Sequence, residues 1–432
     1  METFSLKNGM LVGVASAATQ IEGGELDHSW MDWYQKGRIA DGSSPARAND
    51  HYNRWEEDAK LMRELNIRVY RLGVEWARIE PQEGKFDEDV IEHYISEIEL
   101  LKSYGIEVLV TLHHFTNPMW FETKGAFEKK ENTAYFIRFT EKIVSAFGSL
   151  VNEYITINEP NVYAVNGYFF GVWPPGEKSF FKTVRVMSVL AAVHIEAYQK
   201  IHSLRKQMGF EDTKVSFANH VRVFAPQDPD KAAHRFFAGL NERFFQGALS
   251  KAMYTGVIKF PISKIGNVKK GQYCDFIAMN YYTRSTVSGL GDGVKQGAPV
   301  NDLGWEIYPQ GILECAAMLH KISPLPIYIT ENGTCDNTDE FRCLYIYEHL
   351  KALCESDLPI ARYYHWCFCD NFEWVEGESA RFGIVHIDYE TQSRRVKKSG
   401  LFFRDLILAN GVDEALYDEY IKGAQYRTSR AE

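Results

Sequence analysis

The sequence YITINEP, residues Tyr154 to Pro160, places a run of β-branched and aromatic residues directly before the pair Asn158 and Glu159. A second stretch, IYITENG at Ile327 to Gly333, follows the same plan and ends its apolar run on Glu331. Branched and aromatic residues favour strands, and an unbroken apolar run is typical of a strand buried on both faces. Burying a carboxylate without a hydrogen-bond or ion-pair partner is energetically costly, so a buried carboxylate usually has a specific role. The two stretches therefore predict buried parallel strands that end on carboxylates with a role.

Six more short apolar runs lie along the chain, separated by longer segments of helical period. The eight predicted strands are Leu11 to Ala18, Ile67 to Val74, Val108 to Leu112, Tyr154 to Ile157, Val215 to Ala218, Phe276 to Met279, Ile327 to Thr330, and Arg362 to Phe368. Between the strands, apolar residues recur three or four positions apart, which predicts amphipathic helices that pack on a core. Three such stripes are Trp55, Ala59, Met62 and Leu65; Ile91, Ile95, Ile98 and Leu101; and Phe136, Phe139, Ile143 and Phe147.

Eight repeats of strand and helix predict an α/β fold. Parallel strands with helices outside close at eight units into a (β/α)8 TIM barrel, whose active site lies at the C-terminal ends of the strands. No Gly/Ser-rich or Pro-rich linker divides the chain, so we expect residues 1–432 to form a single domain. In this fold Glu159 and Glu331 stand on the same rim, after the fourth strand and at the end of the seventh.

Composition and charge exclude some classes of partner. The 432 residues are 45% hydrophobic with a formal net charge of -10, which is typical of a soluble globular protein. The densest basic run is SRRVKK, Ser393 to Lys398, which we interpret as a solvated surface loop. Nucleic-acid binders usually carry a basic stripe on a basic domain, so we expect no nucleic-acid partner. The oligomeric state is not specified by any sequence feature.

The seven cysteines, all from Cys274 onward, are an odd set that does not indicate a disulfide framework. Cys367 and Cys369 share one face of a predicted strand, but zinc sites typically use a two-residue spacer and a second matching pair. A metal-dependent hydrolase built on His113 and His114 is a further hypothesis. Adjacent strand residues point to opposite faces, so these two cannot easily bind one ion. We expect free buried thiols, no metal and no cofactor.

The N-terminal segment GMLVGVASAATQ, Gly9 to Gln20, resembles a secretory cleavage region because it is short, apolar and contains small residues. Against this interpretation, the leader carries only Lys7 opposite Glu2, and cleavage would remove the first predicted strand. No apolar stretch reaches the ~20 residues that span a bilayer. We therefore expect an uncleaved, cytoplasmic protein with no membrane partner.

Polar and aromatic residues follow several predicted strands. They include VEW at Val74 to Trp76, LHHF at Leu112 to Phe115, NYY at Asn280 to Tyr282, and HWCFCDNFEW at His365 to Trp374. Two carboxylates across one mouth are the minimum for cleaving a glycosidic bond, since one protonates the leaving oxygen while the other meets the oxocarbenium carbon. The alternative is that each glutamate only forms a buried ion pair with an arginine.

Tryptophans near the same rim favour a sugar ligand. Trp120, Trp305, Trp366 and Trp374 all follow predicted strands, although each taken alone could equally be a core residue. The C–H faces of a sugar pack on indole, while its hydroxyls need hydrogen-bond partners. Glu373 beside Trp374 supplies both kinds of contact, because a carboxylate accepts from two hydroxyls and an indole N–H donates to a third.

At the level of motifs the chain resembles glycoside hydrolase family 1. The motifs that carry the resemblance, in the family's order, are ATQIEG (Ala18 to Gly23), TINEP, NYYT (Asn280 to Thr283), ITENG, DNFEW (Asp370 to Trp374) and RFGIVHIDYETQ (Arg381 to Gln392). The resemblance runs from about Leu6 to Phe403. Several independent motifs in one order are far more specific than NEP alone.

The resemblance implies a role for each matching residue. It implies that Glu159 is the acid/base and Glu331 the nucleophile of a retaining mechanism with a covalent glycosyl-enzyme. Arg71, Tyr282 and Asn280 are implied to support the nucleophile, with Asn280 in a second layer. We also expect Arg71 to lower the pKa of Glu331, which separates the pKa values of the two carboxyls. The implied substrate-binding residues are Gln20, His114, Asn158, Trp305, Trp366, Glu373 and Trp374.

Some positions depart from the family pattern. HHFTNP stands at His113 to Pro118 where many members read HWDLP, so that Phe115 replaces an indole and Thr116 an aspartate. Glu378 occupies a position where an aromatic residue is common, and the role of His113 is open. We expect these changes to line the subsite walls and to affect the preferred sugar and aglycone rather than the reaction.

The implied activity is that of a β-glucosidase that acts on small-molecule β-glycosides or oligosaccharides, with β-galactosides and β-fucosides as further substrates. A 6-phospho-β-glycosidase is disfavoured because Glu373 would repel a phosphate, and a thioglucosidase because that branch lacks the acid/base that Glu159 provides. A catalytically silent sugar-binding barrel is the alternative from another class. Such a protein would have no need to keep both carboxylates.

Overall fold

Eight parallel strands form a closed barrel in the computed structural model, which describes residues 3–429. Each strand pairs with its neighbour along the chain, and the last pairs with the first to close the ring. The predicted TIM barrel is confirmed. Its strands are β1 (Leu11–Ala15), β2 (Val69–Gly73), β3 (Glu107–Thr111), β4 (Glu153–Asn158), β5 (Lys214–Pro226), β6 (Ile277–Val287), β7 (Ile327–Asn332) and β8 (Ile360–Trp366).

Two strands extend far beyond the apolar runs that predicted them. The pairing of β5 with β6 continues from Val223 opposite Arg284 to Pro226 opposite Val287. This extension is half exposed along β5, so its sequence lacks the unbroken apolar run of a barrel strand. The first strand is instead shorter than predicted, because β1 ends at Ala15 and the short helix Ala18–Ile21 follows.

Helices surround the barrel. The longer ones are α1 (His51–Glu64), α2 (Glu88–Ser103), α3 (Thr133–Phe147), α4 (Phe180–Gln207), α5 (Ala232–Glu242), α6 (Ala248–Thr255), α7 (Gln310–Ile322), α8 (Arg342–Glu355) and α9 (Lys398–Ala409). Short helices are Ala18–Ile21, Ser29–Gln35, Trp76–Ile79, Met119–Glu122, Pro160–Ala164 and Glu414–Leu416. Single 3₁₀ or π turns occupy Ala126–Glu128, Lys130–Asn132, Val165–Phe170, Arg243–Gly247, Trp374–Glu376 and Tyr417–Ile421. Within residues 3–429 no helix is long and apolar enough to cross a membrane.

The apolar stripes predicted for the helices face the barrel. Phe136, Phe139, Ile143 and Phe147 of α3 are all buried. Each such side chain contributes about 1.5–3 kcal/mol relative to an exposed position. The stripe of α2 is likewise buried except for Ile95, which is half exposed.

The basic run near the C-terminus does not form the solvated loop that we predicted. Ser393–Val396 is a strand of a two-stranded antiparallel sheet. Arg394 pairs with Asp58 at 2.9 Å and Lys397 pairs with Asp370 at 2.6 Å, and all four side chains are buried. These charges are neutralised inside the protein because a buried cation requires a partner. Half of the run's basic residues are therefore internal, whereas Arg395 and Lys398 remain exposed.

The end of the barrel opposite the C-terminal strand ends is closed by a buried ion pair. Arg362 in β8 pairs at 2.7 Å with Glu153, the first residue of β4. The Tyr328 hydroxyl of β7 also donates to Glu153, at 3.2 Å. Polar closure at this end leaves the opposite rim as the open mouth.

Candidate active site

A cavity of about 930 Å³ opens at the C-terminal ends of the strands. Several predicted site residues line it, namely His114, Glu159, Tyr282, Trp305, Glu331, Trp366, Glu373 and Trp374. The other predicted residues are Gln20, Arg71, Asn158 and Asn280, which are fully buried and bond to residues of the cavity wall. The fold thus gathers every predicted site residue at one mouth.

Glu331 is held from both carboxylate oxygens. Arg71 of β2 donates to Oε1 at 2.5 Å, and the Tyr282 hydroxyl of β6 donates to Oε2. Arg71 is completely buried, and its Nε donates to Thr111 at 3.0 Å. A charge-assisted bond from a fixed guanidinium restricts both the position and the rotation of the carboxylate. Glu331 is therefore oriented before any substrate arrives.

Glu159 lies at the start of the short helix after β4, in the left-handed region at φ 43°. Its backbone N–H donates to the Ala218 carbonyl of β5 at 2.7 Å. Asn280 Nδ2 of β6 donates to Oε1 at 2.8 Å, and His220 Nδ1 lies 3.3 Å from the same oxygen. Asn280 thus contacts Glu159 directly, and it is connected to Glu331 only through Asn158 and Arg71.

Asn158 connects the two carboxylates. Its Oδ1 accepts from Arg71 at 2.6 Å and from Asn280 at 3.0 Å. Arg71 in turn donates to Glu331, and Asn280 donates to Glu159. One fully hydrogen-bonded chain of buried polar groups therefore sets the relative placement of both glutamates.

The pKa of Glu331 does not follow our expectation that Arg71 would hold it low. Burial is the largest influence and raises the pKa of Glu331 to about 7. Arg71 and Tyr282 lower this pKa, whereas the neighbouring Glu159 raises it. Desolvation outweighs the guanidinium because the carboxyl lies in the buried base of the cavity. Glu331 therefore loses its proton only near neutral pH.

Glu373 and Gln20 form a second polar pair on the cavity. Gln20 Nε2 donates to Glu373 Oε2 at 3.1 Å and to the Phe372 carbonyl at 2.9 Å. Burial raises the pKa of Glu373 to about 8, although the Gln20 hydrogen bond lowers it. Near neutral pH, Glu373 is consequently a neutral acid that can donate one hydrogen bond as well as accept.

Aromatic rings enclose the same space. The His114 ring stacks against Trp366 at 5.7 Å and against Trp374 at 5.8 Å. Burial and the nearby Arg71 hold the pKa of His114 well below its usual value, so its imidazole is neutral. Trp305, which is 37% exposed, lies farther out and meets Tyr282 edge-on at 6.0 Å.

Trp120 does not belong to this group. Its ring packs edge-on against Trp76 at 5.8 Å, and its Nε1 donates to the Glu80 carbonyl at 2.8 Å. It lies on the short helix that faces α3, away from the cavity. Its position after a strand indicated a rim residue, but its side chain is partly buried and packs against the aromatic core.

The departures from the family pattern do not all line the cavity, contrary to our expectation. Phe115 lines the cavity, and its ring centroid lies 5.3 Å from that of Trp374. Thr116 is instead buried against Thr19, whose hydroxyl lies 2.5 Å away. Glu378 forms a salt bridge with Arg47 and is not part of the cavity wall. Only Phe115 therefore acts directly on the shape of the site.

His113 and His114 point to opposite sides of the backbone. His113 bonds to Asn117 at 2.9 Å and packs edge-on against Phe127, whereas His114 faces the cavity. Among residues 3–429, no group of three or more histidines, cysteines, aspartates and glutamates could hold a metal ion. All seven cysteines lie in this range as free thiols, and Cys367 and Cys369 are buried.

His220 is a further residue of the site that no sequence motif predicted. Arg222 donates to its Nε2 at 3.1 Å, which leaves the proton on Nδ1 to donate to Glu159. Burial lowers the pKa of His220, so the ring is neutral. The available signal was the alternation of polar residues in FANHVRV, Phe217 to Val223, after the apolar run of β5.

Comparisons with known proteins agree with this geometry. The model of glycosyl hydrolase family 1 matches residues 2–412. Beta-glucosidase A of Thermotoga maritima is 30% identical over 452 residues, which cover 96% of this chain and 100% of the relative.

Solved structures of such proteins have the same fold. A beta-glycosidase from Pyrococcus horikoshii superposes with a TM-score of 0.87 at 32% identity, over 97% of this chain and 98% of that one. The beta-glucosidase from Thermotoga maritima in complex with glucoimidazole gives a TM-score of 0.87 at 28% identity, over 95% and 100% of the two chains. The chain therefore belongs to glycosyl hydrolase family 1 and is a β-glycosidase, an enzyme of the β-glucosidase kind.

Proposed function

We propose that the protein is a retaining β-glucosidase that removes terminal β-D-glucosyl residues from small glycosides or oligosaccharides and also accepts β-galactosides and β-fucosides. The observation that carries this proposal is the buried chain of hydrogen bonds from Glu331 through Arg71, Asn158 and Asn280 to Glu159. Two carboxylates held in one cavity can act on the same acetal carbon and its leaving oxygen.

In the first step the Glu331 carboxylate attacks the anomeric carbon and the bond to the leaving oxygen breaks. Glu159 gives its proton to that oxygen, so the aglycone departs as a neutral alcohol. The product is a glycosyl ester on Glu331. Arg71 and Tyr282 orient the attacking oxygen through the bonds that they donate.

In the second step a water molecule attacks the anomeric carbon of the ester from the side that the aglycone has left. Glu159, now ionised, takes the water proton, and Glu331 departs as a carboxylate. Two inversions give net retention at the anomeric carbon. The Asn158 amide donates to the sugar 2-hydroxyl, a bond that strengthens as positive charge develops on the ring.

Glu373 and the indoles bind the glycone. A protonated Glu373 donates to one sugar hydroxyl and accepts from another, and Gln20 keeps it in place. This pair can serve an equatorial or an axial hydroxyl, which supports the broader acceptance of galactosides and fucosides. Trp366 presents an apolar face to the sugar C–H groups.

The test is a panel of 4-nitrophenyl β-glycosides compared by kcat/KM, with the anomeric product followed by proton NMR. We expect the gluco substrate to be cleaved with the β-anomer of glucose formed first. An initial α-anomer would contradict retention. Preference for a 6-phosphoglycoside or a thioglycoside would contradict the substrate class, and well-folded protein without turnover on any substrate would favour a sugar-binding barrel.

We also propose that residues 1–432 work as a single domain in the cytoplasm. One hydrophobic core that includes residues of all eight barrel strands supports a single cooperative unit. The seven free thiols support a reducing compartment, where disulfides are rare. Small-molecule glycosides are the partners that such a site requires.

A further inference from the structure

The outer half of the active-site cavity is lined by aromatic side chains, most of which are exposed. We call Phe169, Phe170, Phe180, Phe244 and Phe260 the apolar rim, and all five line the cavity. Phe170 is 53% exposed and Phe260 is 70% exposed. More than half of the exposed large apolar side chains among the described residues line this cavity. Exposed apolar surface that is concentrated in one place indicates a binding surface.

Four of the five rim rings pack against one another. Phe180 stacks on Phe244 with ring centroids 5.5 Å apart, and Phe169 lies 6.1 Å from Phe244. Phe169 and Phe170 meet edge-on at 5.0 Å. Phe169 and Phe170 come from the turn after β4, Phe180 begins α4, Phe244 lies in the turn before α6, and Phe260 lies in the loop after α6. This surface continues the wall that contains Glu159 and Glu331, so the aglycone of a bound substrate is its natural occupant.

Two polar side chains on the outer wall each use a donor within the protein. Asn241 Nδ2 donates to the Gly289 carbonyl at 3.3 Å, and Arg243 Nε donates to the Phe260 carbonyl at 3.0 Å. A second sugar would bring several hydroxyls into this space, and each hydroxyl that faces the phenylalanine rings would lose water without a matched partner. An alkyl chain has no such requirement and gains from every methylene that it buries.

We propose that the apolar rim binds the alkyl chain of an amphiphilic β-glycoside, so that the preferred aglycone is a long hydrocarbon rather than a second sugar. This inference rests on the proposed β-glucosidase activity. The rim lowers the free energy of the enzyme–substrate complex through apolar burial, which grows with chain length until the chain extends past Phe260 and Phe170.

The test compares kcat/KM for butyl, hexyl and octyl β-D-glucosides below their micelle concentrations, beside cellobiose and 4-nitrophenyl β-D-glucoside. We expect at least about a twofold rise per added methylene from butyl to octyl, and octyl glucoside at least about tenfold above cellobiose. A flat chain-length series, or cellobiose as the better substrate, would overturn the proposal. Failure of every glucoside, including the nitrophenyl one, would instead overturn the proposed function.

Variants of the apolar rim test whether these residues cause the dependence of kcat/KM on alkyl chain length. In Phe170→Ser and Phe260→Ser the ratio of kcat/KM for octyl over butyl glucoside is expected to fall at least about fivefold. Leu408→Ser, a control on α9 with 64% exposure, should leave that ratio unchanged. An unchanged ratio in both rim variants would overturn the proposal. If these variants instead change only the oligomeric state in light scattering or only binding to phosphatidylcholine vesicles, the rim covers a second copy or a membrane, and the proposal is wrong.

Discussion

Glu159 adopts a backbone conformation that non-glycine residues rarely occupy, and its contacts explain why this conformation persists. Its φ of 43° places it in the left-handed region, which costs of order 1–3 kcal/mol for such a residue. The backbone bond to Ala218 and the bonds from Asn280 and His220 offset this strain. The result is a carboxyl that points into the cavity where the short helix after β4 begins.

Removing the Glu159 carboxyl should affect substrates according to their leaving group. In Glu159→Ala we expect kcat/KM to fall about 10³-fold for an alkyl β-glucoside, because the poor leaving group needs protonation. For 2,4-dinitrophenyl β-glucoside the loss should be about tenfold or less. Glu378→Ala, outside the cavity, is the control and should affect neither substrate. Equal losses on both substrates would contradict the assignment of Glu159 as acid/base.

The raised pKa of Glu331 predicts a dependence of activity on pH. The nucleophile must be ionised, so kcat/KM for 4-nitrophenyl β-glucoside should fall about tenfold per pH unit below a pKa of about 7. In Tyr282→Phe the Glu331 carboxylate loses a hydrogen bond that lowers its pKa, so this acid limb should move to higher pH. A stopped assay over pH 4 to 9 measures the limb. A limb that stays in place in Tyr282→Phe would refute the prediction, and Tyr308→Phe serves as the control.

At the scale of single elements, the barrel strands followed their apolar runs and the exceptions have a physical reason. A strand buried on both faces carries an unbroken apolar run, as in β4 and β7. The extension of β5 is half exposed, so its pattern is mixed and the prediction stopped at Ala218. His220 lies on that extension, which is why its contact with Glu159 was missed.

The ion pair between β8 and β4 should matter far more than a surface pair. Arg362→Met keeps most of the side-chain volume but leaves Glu153 buried with less compensating charge, so we expect the free energy of unfolding to fall by about 3 kcal/mol. Lys36→Met removes an exposed pair with Asp32 and should cost under about 1 kcal/mol. Urea denaturation of both variants measures the difference. Similar losses in the two would show that the buried pair is not a major stabilising contact.

At the scale of the whole molecule, closure of the barrel brings distant residues into contact. Arg71 and Glu331 bond across 260 positions of sequence, and Gln20 meets Glu373 across 353. The same closure buries Glu331 and Glu373 at one cavity and raises the pKa of each. Their raised pKa values mean that the fold stores unfavourable electrostatic energy at the site, as is common where function requires charge in a buried place.

This stored energy predicts how stability changes with pH. The pKa of Glu373 is about 8 in the fold against 4.5 as the ordinary value, so the folded protein binds this proton more tightly. The stabilising contribution is complete below about pH 4.5 and is lost as pH rises through 8. Glu373→Gln removes the ionisable group, so the variant does not lose this stability as the pH rises. Its melting temperature relative to wild type should therefore rise by at least about 2 °C between pH 5 and pH 9.

Differential scanning calorimetry at the two pH values makes the comparison. Glu64→Gln, at an exposed position of α1, is the matched control and should show no such change. A melting difference for Glu373→Gln that is the same at both pH values would contradict the raised pKa.

The sequence by itself determined the eight strands, the order of strand and helix, and the strand ends that carry the two glutamates. These properties are local, because apolar periodicity and strand propensity act over a few residues. It also determined that both glutamates lie at one mouth, since parallel strands of a barrel point their carboxyl ends to one side.

Only the tertiary structure decided which partner each group has. In the folded protein Asn280 donates a hydrogen bond to Glu159. Trp120 and Glu378 lie away from the cavity. Arg394 and Lys397 of the basic run pair with buried acids. The tertiary structure also made burial outweigh Arg71 in the pKa of Glu331. A hydrogen bond requires donor and acceptor atoms about 3 Å apart, and desolvation depends on the atoms that surround a group. Both are set by the packing of residues that are far apart in sequence.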